Sequence, residues 1–392
     1  MDFETLLKTE IQQFISENIG LDLSKLALQK NPFPEIDFKI LLNQIEAKSK
    51  CKEKLPTWFT TSNIVYPSKI SIEQTSSEIT AKYKSEIVSG SSLIDLTGGF
   101  GVDDYYFAKK ITRVVHCEMN EELSDCVKHN FGQLGIDNVS FFKGDSTEIL
   151  QNLDEKFDWI YIDPSRRNEV KGKVFMLDDC LPNVIKLQDF YYNFSNNILI
   201  KTAPILDINL GLTELKNVKK IHIIAVDNEV KELLWEIENH YNSEIEIITI
   251  NYSKNEIETF KFIHKSEVNS EFCLPQKYLY EPNSSIMKSG GFSNIGAAFQ
   301  LNKLHLHSHL YTSDKLIAFP GRIFEINKVI NYSKSEIKQC LENQKANVTT
   351  RNFPEPVDVI RKKWKIKDGG STYCFFTTDK NDNKIVLICT KI

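Results

Sequence analysis

Between Leu93 and Asp103 the chain reads Leu-Ile-Asp-Leu-Thr-Gly-Gly-Phe-Gly-Val-Asp, an apolar run that breaks into glycines and restarts as a helix. Such a turn lets backbone approach a ligand where a side chain would collide, and it aims helix N–H groups at that ligand. Two nucleotide ligands compete for it. An NAD fingerprint needs G-x-G-x-x-G, but counting from Gly99 the third glycine falls on Asp104, whose carboxylate opposes a pyrophosphate. S-adenosylmethionine (SAM) carries a cationic sulfonium and an α-amino group, which acidic residues attract. Asp95 and Asp103 flank Thr97, Gly98, Gly99 and Gly101 in the position such a ligand requires.

The next apolar run, Val114 to Cys117, ends at Glu118, where a carboxylate accepts from both ribose hydroxyls. Phe141 to Gly144 ends at Asp145, placed for the adenine amino group, with Ser146 beside it. Three acidic strand ends in succession favour SAM, against the plainer reading that each acid caps the following helix.

A fourth run, Phe157 to Ile162, delivers Asp163-Pro164-Ser165-Arg166-Arg167. An Asp-Pro turn presents the Asp163 carboxylate and Pro164 carbonyl to an amine or ring nitrogen, aligning its lone pair with a methyl donor. Ser165 stands where an aromatic would stack on a flipped base. Arg166 and Arg167 suit phosphate or carboxylate clamping, or else pair with Asp178 or Asp179. A uridine C5 reaction needs a thiolate near the fifth strand, which instead reads Ile200-Lys201-Thr202-Ala203-Pro204. Lys201 reads as a solvated strand-end lysine or as a group facing substrate.

Other features carry less chemistry. His305, His307 and His309 alternate and would share a face if on a strand, but no fourth zinc ligand accompanies them. Arg361-Lys362-Lys363-Trp364-Lys365-Ile366-Lys367 mixes cations with an aromatic, as nucleic-acid surfaces do and solvated helix faces also do. Gln74, Ser76, Ser77 and Lys82 lie on a stretch that either closes over the cofactor or only packs. The eight cysteines form no CxxC pair and read mostly as small core residues.

Positioning these residues requires an alternating strand and helix pattern. Strands are expected at 93–96, 113–117, 139–143, 159–162, 198–200, 221–226 and 244–250, with helices at 121–134, 181–190 and 228–240. That order predicts an α/β fold, a Rossmann-like, mostly parallel sheet whose ligands sit beyond the carboxyl ends of its strands. A helical region at 1–67 precedes it, with an irregular connection between Pro56 and Pro67, and a helix is expected over 71–84, opened by Ser71 with Gln74 in a capping box. The core is placed at 68–264, a bridging segment at 265–320, and a compact α+β domain at 321–392 with strands near 324–326 and 347–350, helices at 333–341 and 356–363, and a hairpin at 373–378 and 385–390.

The 392 residues carry a net charge of −5, with 41% hydrophobic and 26% charged residues, the balance of a soluble globular chain. The charge is uneven, about +6 over residues 311–392 and −11 before them. A basic C-terminal module on an acidic body is one footprint of a polyanion partner. No apolar run approaches the roughly 20 residues of a membrane helix, and the N-terminus has no signal-peptide pattern, so no membrane partner and a cytoplasmic location are expected. No obligatory protein partner is apparent.

Leu55-Pro56-Thr57-Trp58, the stretch Ser71 to Glu78, the glycine turn and Asp163-Pro164-Ser165-Arg166-Arg167 together resemble bacterial class I SAM-dependent methyltransferases with a C-terminal ferredoxin-like and THUMP-like domain. Tyr278-Leu279-Tyr280-Glu281-Pro282-Asn283 is similar to the family's Y-x-Y-E-P-D entry to the ferredoxin-like segment, with Asn283 in place of the acid, and Phe319 onward resembles the THUMP-like module. The resemblance implies a methyltransferase with SAM as donor and a structured RNA, tRNA or rRNA, as substrate. The residues point to a nitrogen acceptor held by Asp163, Pro164 and Arg166. A protein or small-molecule acceptor, or an inactive RNA-binding protein on the same fold, are the alternatives.

Overall fold

The computed structural model describes residues 3–166, 176–254 and 256–392. Two compact units divide the chain, the first comprising residues 1–218 with 235–241 and the second residues 219–234 with 242–392.

In the first unit, β1 (Ser92–Asp95), β2 (Arg113–Glu118), β3 (Val139–Lys143), β4 (Trp159–Ile162) and β7 (Asn197–Thr202) form a parallel sheet in the order β7-β4-β1-β2-β3. The short strands β5 (Ser165–Arg166) and β6 (Cys180–Leu181) pair beside it. Leu93, Ile94, Val114, Val115, Ile160, Ile198 and Leu199 are buried, as a sheet covered on both faces requires. The order reverses direction at β1 and β4, so the ends of β1, β2 and β4 border the crevice where such sheets take ligands.

Helices Thr9–Glu17, Phe38–Lys54 and Pro56–Thr60 pack Ile11, Leu41, Ile45 and Trp58 against Phe100, Val102 and Tyr105 of the glycine-turn helix and Val127 and Phe131 of the next. The N-terminal residues thus share a core with the sheet's first helices. The irregular connection expected after Pro56 begins instead as a helix, because proline at a first helical position gives up an N–H that has no partner there. The single helix expected over 71–84 is two, Lys69–Gln74 capped by Ser68 and Glu78–Ile87 capped by Ser77. The break at Thr75 turns the Ser76 hydroxyl inward to Asp103.

In the second unit, β8 (Val218–Val226) leads through Asp227 and Asn228, both at positive φ, into β9 (Glu229–Glu238), which returns to the first unit at Trp235. This corrects the helix expected at 228–240. Val230, Leu233, Leu234 and Ile237 have helical spacing, yet Leu233 through Ile237 are buried without interruption, as in a strand covered on both faces. Consecutive left-handed residues at Asp227 and Asn228 make a two-residue hairpin turn. β8 pairs in parallel with β10 (Glu246–Tyr252), which pairs antiparallel with β11 (Ile257–Ile263).

A second sheet runs β13-β14-β12-β15-β18-β17-β16, from β12 (Tyr278–Pro282), β13 (Asn302–Lys303), β14 (Tyr311–Ser313), β15 (Gly321–Asn331), β16 (Asn347–Arg351), β17 (Thr372–Thr378) and β18 (Lys384–Lys391). Helices Lys334–Cys340 and Val357–Trp364 bury Ile337, Ile360 and Trp364 with Val348, Cys374, Phe376 and Val386. The hairpin expected across Asp379 to Asn383 is present, with Asp379 accepting backbone N–H groups of Asn381 and Asn383. Asn283 caps helix Ser284–Ser289 through its carbonyl while its amide donates to Glu258 Oε2 at 2.7 Å. An aspartate could make the first bond but not the second.

Candidate active site

β1 ends in Asp95, and the chain crosses to helix Val102–Ala108 through Gly99 and Gly101 at φ +55° and +72°. Gly98 is held by its N–H on the Cys117 carbonyl at 2.8 Å, and a methyl group there would overlap the His116 imidazole. At Gly99 a side chain would meet only the Thr97 carbonyl, at 3.6 Å, so the turn is open on that side. Thr97 ties two strands together. Its hydroxyl donates to Asp95 Oδ1 at 3.0 Å and accepts the Asp163 N–H at 2.7 Å, linking the ends of β1 and β4.

Glu118, at the end of β2, accepts the Gly99 N–H at 3.0 Å on Oε2 and the Asn120 N–H at 2.7 Å on Oε1. Its carboxylate is therefore fixed against the glycine turn. Asp145 caps helix Ser146–Leu153, with Oδ1 taking the N–H groups of Thr147 and Glu148 at 2.8 and 3.2 Å. That is the plainer role weighed for it, and it orients an exposed carboxylate at the end of β3. Ser146 begins the helix beside it.

Asp163 and Pro164 follow β4. The Asp163 carboxylate pairs with Lys201 Nζ of β7, a half-buried contact that removes Lys201 from the solvated role considered for it. Arg166 lies in the ladder with Cys180, a fully buried residue whose thiol faces the Met176 carbonyl at 3.7 Å. Arg167 lies outside the described residues. Asp178 is engaged by Asn183 at 2.8 Å and by Lys186 at 3.4 Å.

Beneath the turn is a buried charged cluster that sequence reasoning had not assembled. Asp103 Oδ2 accepts from Ser76 and from Tyr161, each at 2.8 Å, and Lys84 Nζ lies 3.1 Å from Oδ1. Lys84 is wholly buried and also donates to Ser76 at 2.8 Å. Burial alone would raise the Asp103 carboxyl, but Lys84, Lys201 and the Tyr161 hydroxyl together hold it below the ordinary value. Asp95 and Asp104 go the other way, pushed well above the carboxylate range by burial and by neighbouring acids. His116, whose Nδ1 meets Asp104 Oδ2 at 2.6 Å, is pushed down by burial. The signal for Lys84 was its place among Thr80, Ala81 and Ser85, a lysine on the small, buried face of helix Glu78–Ile87.

Among the described residues, Asp95, Thr97, Gly98, Gly99, Gly101, Glu118, Asp145, Asp163 and Pro164 lie at the carboxyl ends of β1 to β4 or in the turns leaving them, with Asp103 and Ser146 in the first turns of the helices that follow. The histidine run is not among them: His305 bonds Asp382 and Asn352, and His309 stacks on Phe292 rather than sharing a strand face. Among the described residues no group of acidic, histidine and cysteine side chains is arranged to hold a metal ion.

The parallel order, the glycine turn after β1 and the acid at the end of β2 define a Rossmann-like class I methyltransferase fold. Residues 278–320 match the family model of a ferredoxin-like domain and residues 321–391 that of a THUMP domain-like module, so the chain carries both at its C-terminal end. The crystal structure of a protein from Porphyromonas gingivalis W83, presumed to be a methyltransferase, matches with a TM-score of 0.88 and 29% identity, over 100% of this chain and 99% of that one. An uncharacterized RNA methyltransferase of Clostridium acetobutylicum is 33% identical over 99 residues, a match that spans 24% of this chain and only 22% of that protein. No helix among the described residues is long and apolar enough to cross a membrane.

Proposed function

We propose that this chain is a SAM-dependent methyltransferase that modifies a nitrogen atom of a structured RNA, tRNA or rRNA. The observation that carries the reading is the convergence of an open glycine turn, the Glu118 carboxylate fixed against it, and the Asp163-Pro164 turn tied to Asp95 through Thr97. The residues fit SAM. Asp95, Thr97, Gly98, Gly99 and Gly101 would surround its methionine portion with Asp103 at the base of the turn, Glu118 its ribose, and Asp145 with Ser146 its adenine.

When bound, SAM supplies an electrophilic methyl group. The chain's own task is positioning. Asp163 and Pro164 accept the acceptor's N–H groups and align the nitrogen lone pair, while Lys201 keeps the Asp163 carboxylate from rotating. Arg166 is the proposed anchor for a substrate phosphate. RNA is favoured over other acceptors by the THUMP-like module, by the excess of cations over residues 311–392 and by the name of the Clostridium relative. A cytoplasmic location accords with such a substrate.

The test is transfer of labelled methyl from SAM to total small and ribosomal RNA from cells lacking the protein, with Asp163→Ala as control. Label in one RNA that the variant cannot produce supports the proposal, and nucleoside mass spectrometry then gives the atom. SAM bound but no RNA labelled would move the acceptor to a protein or small molecule, and no SAM binding in calorimetry would leave an RNA-binding protein on a methyltransferase fold.

A further inference from the structure

Asp103 opens the helix that follows the glycine turn, and its carboxylate is held by residues from two other places in the chain. Ser76 and Lys84 reach it from the paired helices at 69–87, and Tyr161 from β4, two residues before Asp163. Asp103 is therefore a joint between the glycine turn, the strand bearing the Asp-Pro turn and the helical segment. Lys84 is the member with no surface of its own. A buried ammonium is costly unless paired, and here its contacts on Asp103 and Ser76 offset that cost.

We propose that Lys84 is a positioning residue for the cofactor site, acting through Asp103: it neutralises and aims that carboxylate so that the glycine turn and β4 keep the spacing SAM needs. This inference rests on the SAM reading above. It assigns the helices at 69–87 to the cofactor site itself, and it changes the part played by Asp103, whose charge is already matched within the chain. The carboxylate then serves the site by holding the turn, through Lys84 on one oxygen and Ser76 and Tyr161 on the other.

Removing Lys84 alone strands a buried carboxylate, and that variant is at risk of not folding. The informative variant replaces both charges, Lys84→Met with Asp103→Leu, since apolar residues of similar volume in place of a buried ion pair are often tolerated. The full-length double variant is expected to melt near the wild-type temperature yet bind SAM at least about tenfold more weakly in calorimetry. The split between KM and kcat is read in Ser76→Ala, whose side chain reaches the site only through Asp103: KM for SAM should rise while transfer at saturating SAM stays within about threefold of wild type. The gentler Ser76→Ala and Tyr161→Phe should each raise KM for SAM by about two- to tenfold, the scale of the net worth of one ordinary hydrogen bond. A double variant that melts like wild type and binds SAM equally well overturns the proposal and leaves the ion pair a structural one. If instead the double variant also fails to fold, the two hydroxyl variants decide, and unchanged KM in both overturns it. Wild-type protein that binds no SAM would defeat the methyltransferase reading itself, a result distinguishable from either outcome.

Discussion

Lys201 and Asp163 form an ion pair at the ends of two adjacent parallel strands, each one residue beyond the partnered Ile200 and Ile162. Register alone brings them together, so the pair is a property of the sheet rather than of a loop. One carboxylate oxygen faces the ammonium, and the group that must meet the acceptor is thereby fixed in rotation. Lys201→Met should lower methyl transfer by about 10- to 100-fold, the scale expected when a reacting group is misplaced by about 1 Å, and leave SAM affinity within a few-fold. Partial recovery in Lys201→Arg would mark the charge as the active feature. Unchanged transfer in Lys201→Met would remove the lysine from the site.

The glycines of the turn should differ in how they fail. Gly98→Ala forces a methyl group into the buried His116 ring, an overpacking that costs about 1–3 kcal/mol and should appear as a drop of several degrees in melting temperature. Gly99→Ala meets open space but sits at φ +55°, a conformation costing an L-residue roughly 1–2 kcal/mol. The second variant should remain folded and lose SAM affinity, because its new methyl group occupies the open side of the turn. Comparable SAM affinity in Gly99→Ala and wild type would show that the ligand lies elsewhere.

Much of this site was legible because glycines and acidic strand ends are spaced along the chain in the order the sheet uses them. The strands at 139–143 and 159–162 have the bounds that their composition implied. The error at 228–240 arose where a strand buried on both faces happens to carry helical spacing, and only the Asp227-Asn228 pair could have corrected it. The Lys84 cluster was illegible for a different reason. Its members lie at 76, 84, 103 and 161, and no local pattern states that a lysine on a buried helix face will meet an aspartate from another element.

The buried acids make stability depend on pH in a definite direction. Asp104 is raised when folded, so its contribution is present at low pH and is lost as pH rises from the ordinary carboxylate value toward the folded one. His116 is depressed when folded, so its contribution is lost as pH falls below the ordinary histidine value. Asp104→Asn removes the first dependence while its amide still bonds the imidazole. Its melting temperature should therefore exceed that of wild type at pH 8 to 9, with the gap narrowing toward pH 5. A constant offset across that range would mean that Asp104 does not carry the titration.

The basic run at 361–367 divides into used and unused charges. Arg361 pairs with Asp368, and Lys363 lies 3.0 Å from Glu355, whereas the Lys362, Lys365 and Lys367 side chains are exposed. These three lysines, outside the two pairs, are placed to meet phosphate directly. Binding to a structured RNA should weaken as salt rises, because each neutralised phosphate releases counterions, with a slope of log affinity on log salt of roughly −0.7 to −0.9 per contact. Lys362→Ala with Lys367→Ala should make that slope shallower by about 1 to 2 and weaken all RNAs alike, since phosphate contacts carry no sequence information. Loss confined to one RNA species would instead place these lysines at base edges. An unchanged slope would mean that the excess charge of the C-terminal module meets RNA through another face.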